Sequence, residues 1–254
     1  MITDPYFYLL AIPVVFLVGM SKGGFGGGLG MLAVPLLSLM IDPRLAAAIL
    51  LPILCVMDLF SWRNFRGIWD KLNLKILLPG ALIGTLAGAL TFEMADADMI
   101  RFGIGCLSIF FVVHYLWGKH YLEQLQQKPP NRIAGTFWGA LAGYVSYIAH
   151  AGGPPVAIYL LPQRMSKSLL AGTTIVFFAL VNFIKLIPYI ALGQLDLHAF
   201  YTSLALLPLA PLGVALGFYL HNKVTDGAFY WISYGFLFLA GVKLLVEGGK
   251  GLLH

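Results

Sequence analysis

Long runs of apolar residues are the feature that most restricts how this chain can fold. A helix needs about 20 apolar residues to cross the hydrocarbon core of a bilayer. Six runs reach that length and are predicted as transmembrane helices: Pro43 to Trp62, Leu72 to Phe92, Ala97 to Trp117, Ser168 to Leu192, His198 to Leu220 and Gly227 to Val246. The sequence therefore predicts an all-α integral membrane protein.

The composition agrees with a membrane location and excludes other classes of protein. Of the 254 residues, 59% are hydrophobic and 11% are charged, whereas about 25% of the residues in a soluble domain are charged. The 16 Lys and Arg residues are scattered between the apolar runs, so no basic patch indicates nucleic-acid binding. Cys55 and Cys106 form no metal or redox motif. We expect a multi-pass protein of the cell membrane, surrounded by lipid and without a cofactor.

Two further apolar stretches cannot each form one straight helix. Pro5 to Ile41 is interrupted by the glycine-rich residues 23–28, and Ile133 to Leu161 is interrupted at residues 150–155, which end in two prolines. At about 1.5 Å per residue, the first stretch would be roughly 55 Å long, well beyond the ~30 Å hydrocarbon core. Each stretch is predicted to be a broken helix or a re-entrant hairpin.

The two interruptions also belong to an internal repeat. Gly27-Gly28 recurs as Gly152-Gly153, and Asp58 recurs as Asn182 at nearly the same offset. Internal duplication of this kind is common in secondary transporters. The repeat predicts that each half begins with a broken stretch and continues with three transmembrane helices.

The repeat defines the domain organisation. Residues 1–254 are predicted to form a single transmembrane domain, with repeat 1 at about 1–118, a polar linker at 119–131 and repeat 2 at about 132–254. Equivalent loops of the two repeats differ in charge, and by the positive-inside rule such loops lie on opposite sides of the membrane. The two repeats are therefore predicted to have inverted topology.

The distribution of cations favours hairpins at the two interruptions. If each broken stretch returns to the side from which it enters, ten Lys and Arg residues lie in the cytoplasm and three lie outside. If each stretch crosses once, the distribution is eight against five. The first arrangement fits the positive-inside rule better and places both termini outside.

The glycine-rich interruptions are the predicted substrate site. Backbone N–H groups freed from a helix are tolerated in a membrane only where they are buried in protein or line a wet cavity. Several such groups beside a helix N-terminus form a site that suits an anion. The alternative is that the glycines serve close helix packing. The candidate glycines are Gly23, Gly24, Gly26, Gly27, Gly28, Gly152 and Gly153.

Two titratable side chains adjoin these interruptions. Lys22 precedes the first and would add a full positive charge to a substrate-binding site. His150 opens the second and could bind an oxyanion and carry a coupling proton. The other interpretation of His150 is a neutral histidine hydrogen-bonded to a freed carbonyl.

Three further candidates lie inside predicted spans. Asp58 is an intramembrane carboxylate and a candidate for ion coupling, unless it only faces Arg63 or water. Asn182 is its counterpart in repeat 2 and a candidate for substrate binding. Lys185, one turn beyond Asn182, could bind the anion or could extend to the membrane surface along its apolar stem.

Several motifs resemble those of the TauE/SafE family, the sulfite-exporter group of membrane permeases. The resemblance covers essentially the whole chain. It implies export or uptake of a small sulfur-containing anion, either sulfite or an organosulfonate with a carboxylate. At the second interruption the chain has His150 where a G-x-G-G-G pattern is usual in the family. The matching segments are Gly19-Met20-Ser21-Lys22-Gly23-Gly24-Phe25-Gly26-Gly27-Gly28, Val34-Pro35-Leu36, Ala151-Gly152-Gly153-Pro154 and Gly193-x-x-Asp196.

The predicted function is therefore secondary transport of such an anion by alternating access. The glycine-rich segment lacks the G-K-[ST] ending of a P-loop, so we do not expect ATP hydrolysis by this chain. Coupling to a proton or to sodium and assembly as a homodimer are both left open. A passive anion channel shares the fold prediction. An intramembrane enzyme is disfavoured because the spacing of known catalytic motifs is absent.

Overall fold

All the regular secondary structure in the described part of the chain is helical. A computed structural model describes residues 1–24, 28–124, 127–220 and 226–253. Two short 3₁₀ helices, Gly28–Leu32 and Leu161–Gln163, accompany the α-helices. The α-helices are α1 (Pro5–Gly24), α2 (Ala33–Leu37), α3 (Pro43–Asn64), α4 (Lys71–Met94), α5 (Ala97–Gln124), α6 (Arg132–Ala149), α7 (Gly153–Leu160), α8 (Lys167–Ala191), α9 (Leu197–Leu206), α10 (Leu209–Leu220) and α11 (Asp226–Leu252).

The helix lengths confirm the prediction of a multi-pass membrane protein. The bent pair α9 and α10, if it counts as one span, adds a sixth candidate to five single helices. The predicted run Gly227 to Val246 is helical within α11. Five segments are long and apolar enough to cross a membrane singly: Pro5–Gly23, Pro43–Asn64, Lys71–Phe92, Ala97–Trp117 and Ser168–Ala191.

The run His198 to Leu220 differs from the prediction because it is not one continuous helix. α9 ends at Leu206, α10 begins at Leu209, and the two helices are bent by 41°. Pro208 lies in the gap and has no N–H to continue the hydrogen-bond ladder. Pro79, by contrast, stays inside α4. Proline therefore permits the break here but does not by itself determine it.

The second interrupted stretch folds back on itself. α7 and the 3₁₀ helix after it return to the level at which α6 begins. There the backbone N–H of Lys128 donates to the carbonyl of Pro162 at 3.0 Å, and Nε2 of Gln127 donates to the carbonyl of Gln163 at 3.3 Å. The first stretch is also interrupted, and its short helix α2 packs against α1.

The loops at one end of the bundle carry several of the cations predicted to be cytoplasmic. Nδ2 of Asn73, near the start of α4, donates to Oε1 of Gln163 at 2.8 Å. This contact joins the start of α4 to the 3₁₀ helix that follows α7. Gln163 of that helix in turn contacts the linker through Gln127. At the opposite end, Arg44 donates to the backbone carbonyls of Phe92 and Ala95.

The helix pairs with the most extensive contacts join the first half of the chain to the second. α1 packs against α10, α4 against α6, and α5 against α11. Small residues bring the α4 and α6 backbones together, since a Cβ added to Gly84 would lie 1.8 Å from the carbonyl oxygen of Ala140. Close approach of this kind is typical of helix association in membranes.

Two helix pairs consist of helices that have the same place in the predicted order of each half. α3 pairs with α8, and α5 pairs with α11. Asp70, just beyond α3, contacts Thr173 near the start of α8, whereas Asp58 contacts Asn182 farther along α8. α3 and α8 are therefore antiparallel. The contacts of Gly105 with Leu245 and of Gly251 with Asp98 show that α5 and α11 are antiparallel as well.

Candidate substrate site

The 3₁₀ helix that follows the first interruption meets the second interruption inside the bundle, beside α3 and α8. The 3₁₀ helix of the first contacts α7 of the second, and a Cβ added to Gly30 would lie 3.5 Å from the carbonyl oxygen of His150. A cavity of about 20 Å³ lies there, which is room for one water molecule. It is lined by Lys22, Gly30, Met31, Leu54, Asp58, Ser146, His150, Gly153, Thr174, Ile175, Phe178 and Asn182.

One side of the cavity holds a buried ion pair. Nζ of Lys22 on α1 donates to Oδ1 of Asp58 on α3. Nδ2 of Asn182 on α8 donates to Oδ2 of the same carboxylate at 2.6 Å. Asp58 is only 1% exposed, so the alternative that it faces Arg63 or water is wrong. Each carboxylate oxygen has a donor, and the charge of Asp58 is balanced by Lys22.

The other side holds a second lysine with a different set of partners. Nζ of Lys185 on α8 donates to the carbonyl of Ser146 at 2.9 Å, to its Oγ at 3.0 Å and to Nδ1 of His150 at 2.7 Å. Lys185 is 0% exposed, so the alternative that it extends to the membrane surface is wrong. Within the described residues, all of these acceptors are uncharged.

His150 joins Lys185 to α3. Its Nε2 lies 2.9 Å from the carbonyl oxygen of Ala47. A carbonyl can only accept a hydrogen bond, so we assign the ring proton to Nε2 and leave Nδ1 as the acceptor for Lys185. The structure thus agrees with the interpretation of His150 as a neutral histidine bonded to a carbonyl. Its role in transport remains a proposal.

A proline lies within α3 close to the carbonyls that side chains contact. Pro52 has no N–H to donate to the carbonyl of Ala48, one turn earlier. The carbonyls of Ala47 and Ile49, the residues on either side of Ala48, accept side-chain hydrogen bonds. Oγ of Ser203 donates to the carbonyl of Ile49 at 2.7 Å. The polar contacts of the site thus gather where the helix ladder is interrupted.

The predicted glycines divide between the cavity and helix contacts. Gly153 lines the cavity. A Cβ on Gly23 would lie 2.0 Å from the carbonyl oxygen of Val214 on α10, and one on Gly152 would lie 2.7 Å from that of Ala142. These two positions therefore have a packing requirement, as the alternative interpretation held. Gly24 ends α1 and Gly28 begins the 3₁₀ helix, while Gly26 and Gly27 lie outside the described residues.

The start of α7 offers fewer backbone donors than the sequence led us to expect. Pro154 and Pro155 occupy its first turn and carry no N–H. The N–H of Val156 already donates to the carbonyl of Gly152. Among the described residues that line the cavity, polar side chains are those of Lys22, Asp58, Ser146, His150, Thr174 and Asn182.

Several site residues were not predicted. Ser146 holds Lys185, and Thr174 and Phe178 line the cavity on the α8 face that carries Asn182. Thr174, Phe178 and Asn182 are spaced four residues apart, which places them on one face of a helix. That spacing, together with the spacing of Ser146 and His150, is the signal that could have found them.

A network of charged side chains enclosed by apolar helices defines a class of protein. Ionisable residues inside a membrane bundle typically mark the pathway of a substrate or ion, as in membrane transporters. A comparison with sequence models of protein families matches residues 11–244 to the family described as sulfite exporter TauE/SafE. The chain belongs to this family, and the resemblance stated from the motifs is confirmed. No curated protein and no solved structure matches the chain.

Family membership gives the general activity. TauE/SafE proteins are membrane transporters that export sulfite or related anions, and not enzymes. A small anion and the surrounding lipid are accordingly the partners of this protein.

Proposed function

We propose that this protein is a secondary transporter that moves sulfite, or an organosulfonate with a carboxylate, by alternating access around the cavity between the two interruptions. The anion would bind between Lys185, Ser146 and the Lys22–Asp58 pair. The proposal goes beyond family membership in naming the site, the class of mechanism and the substrate form.

The observation that carries the proposal is the burial of Lys185 without an anionic partner among the described residues. A buried cation is costly unless it is paired, and Lys22 is already paired with Asp58. Lys185 has only uncharged partners among the described residues. With Lys22, Lys185 and Asp58 all ionised, the site carries a net charge of +1. An anionic substrate would offset this charge, which favours an anion over a cation or a neutral solute.

The size of the cavity supports a carrier. At about 20 Å³, the cavity holds one water molecule, whereas sulfite has a sulfur and three oxygens. In the proposed mechanism the site therefore widens when the anion binds. A site that opens and closes is expected of alternating access, whereas a channel keeps a continuous path of sufficient width in its open state.

The helix pairing supports the proposal of inverted repeats. A two-fold axis in the plane of the membrane would bring matching helices together in antiparallel pairs. α3 with α8 and α5 with α11 are such pairs. The matching residues Asp58 and Asn182 are in direct contact at 2.6 Å. The substrate site would then lie close to this axis, where small tilts of either half would open it to opposite sides.

Counterflow in proteoliposomes tests the proposal. Vesicles containing purified protein are loaded with unlabelled sulfite, and the entry of labelled sulfite is followed, with protein-free vesicles as the control. We expect transient accumulation of label, which saturates with sulfite and is inhibited by short sulfonates that carry a carboxylate. Flux that never saturates would indicate a channel, and chemical conversion of the label would indicate an enzyme. Absence of flux with all these anions would refute the proposed function.

A further inference from the structure

His150 occupies a backbone conformation that disfavours a side chain. Its φ is 51° and its ψ is 26°, in the left-handed region. A residue with a Cβ costs about 1 kcal/mol more than glycine in this conformation. Glycine is also the residue that the family pattern led us to expect here. Strain of this kind at an enclosed polar site is a reason to look for a function of the side chain.

The two ring nitrogens of His150 have partners of opposite kind. Nε2 must donate to the carbonyl of Ala47, and Nδ1 accepts from the ammonium of Lys185. A protonated imidazole carries a hydrogen on both nitrogens and would direct an N–H at the Lys185 ammonium across 2.7 Å. The Lys185 contact and a proton on Nδ1 therefore exclude each other.

This exclusion links the histidine to the substrate. An anion that binds Lys185 attracts its ammonium away from Nδ1, because a charged acceptor forms a stronger hydrogen bond than a neutral one. Nδ1 is then free to accept a proton, and nearby negative charge favours the protonated ring. The hydrogen bond from Nε2 to Ala47 can persist in both states, so the ring can keep its position.

The charges of the surrounding helices decide which form of the anion fits. The charged and titratable groups nearest His150 are Lys185 on α8, Lys22 on α1, and Asp58 and Cys55 on α3. Without substrate, the three ionised groups sum to +1. A dianion changes the sum to −1, and one proton on His150 restores it to zero. A dianion together with one proton thus leaves the enclosed site electrically neutral.

We propose that His150 is the proton acceptor of the transport cycle and that Lys185 controls its access, so that a dianionic sulfur oxyanion and one proton occupy the site together. This inference rests on the proposed function and adds the coupling ion and the charge of the substrate. Release of the anion returns Lys185 to Nδ1 and expels the proton. In this mechanism the same lysine binds the anion and prevents protonation in its absence.

The number of protons taken up on binding tests the inference. Sulfite binding to the purified full-length protein is measured by calorimetry in two buffers of different ionisation enthalpy, at a pH where free sulfite is the dianion. The difference in heat between the buffers gives the proton uptake. We expect one proton per sulfite for the native protein. We expect none for His150→Asn, because asparagine tolerates the left-handed conformation and does not titrate.

Further variants keep the test decisive. His150→Gly fits the left-handed backbone and should behave like His150→Asn. In both variants the affinity for dianionic sulfite should fall, because no proton offsets its second charge, and binding at a pH where sulfite is the monoanion should persist. Thermal unfolding in detergent verifies that the variants are folded. Sulfite binding by the native protein without proton uptake would overturn the inference, as would an unchanged uptake in His150→Asn. Unchanged affinity for the dianion in both folded variants would also overturn it, as would loss of monoanion binding in both, since the imidazole would then be an anion ligand.

The two proposals fail in different ways. If the native protein shows neither sulfite binding nor counterflow with any of the anions, the proposed function is refuted, and this inference with it. If the native protein transports sulfite but binds it without a proton, only the coupling mechanism is refuted.

Discussion

Removal of Lys22 alone should destabilise the protein more than removal of Lys22 and Asp58 together. In Lys22→Met, the carboxylate of Asp58 stays buried at 1% exposure and retains a single donor, from Asn182. Breaking a buried ion pair on one side typically costs about 3 to 5 kcal/mol, because the remaining charge is uncompensated. In Lys22→Met with Asp58→Asn, both charges of the pair are removed together, and the cost should fall to about 1 kcal/mol.

The double-mutant cycle isolates the coupling between the two residues. The expected coupling energy is about 2 kcal/mol or more, within the range measured for residues in direct contact. Thermal unfolding in detergent, followed by tryptophan fluorescence, gives the stability of the native protein, both single variants and the double variant. The matched control is Lys243→Met, whose contact with Glu247 is half exposed at 3.7 Å and should contribute about 0.5 kcal/mol or less. Equal destabilisation by the single and double variants would refute the reasoning.

Two further predictions concern helix packing and access to the site. Gly84→Ala should reduce the yield of folded protein on size-exclusion chromatography, because the added Cβ would lie 1.8 Å from the carbonyl oxygen of Ala140. Gly103→Ala, where no atom lies within 4 Å, should not. Cys55 lies one helical turn from Asp58 and is buried, so in a Cys106→Ser background a polar thiol reagent should label it only when the site opens. Mass spectrometry should show labelling that changes on addition of sulfite, and a constant labelling rate would argue against opening at α3.

The sequence was sufficient to predict the coarse fold. The length of an apolar run determines whether a helix can cross the hydrocarbon core, and this requirement does not depend on tertiary contacts. Proline by itself does not determine where helices end. Pro208 lies between two helices, whereas Pro13, Pro52, Pro79 and Pro188 lie inside helices. Neighbouring helices decide between these outcomes, and the local sequence does not reveal them.

Charged residues of the site could be identified because charge is costly inside a membrane. Lys22, Asp58, His150 and Lys185 were candidates for that reason. Their partners could not be predicted, because the ion pair joins residues 36 positions apart. Ser146 was missed as a site residue, because a hydroxyl is common within apolar helices and its position beside Lys185 depends on how α6 packs.

The roles of the glycines were ambiguous in the sequence for a physical reason. A turn that binds an anion and a close helix contact both require a residue without a side chain. Gly23 and Gly152 are in close contact with neighbouring backbones, whereas Gly153 lines the cavity. Only the positions of neighbouring helices separate these cases.

The most direct test of the account is the effect of Lys185→Met on sulfite transport. Proteoliposomes with this variant, the native protein or Lys243→Met are compared at equal amounts of reconstituted, folded protein. A hydrogen bond to a charged group contributes about 1.5 to 3 kcal/mol, so Lys185→Met should lower the apparent affinity for sulfite about 10- to 100-fold. Lys243→Met should transport as the native protein does. Saturable transport by Lys185→Met with native affinity would contradict the claim that the buried lysine binds the anion.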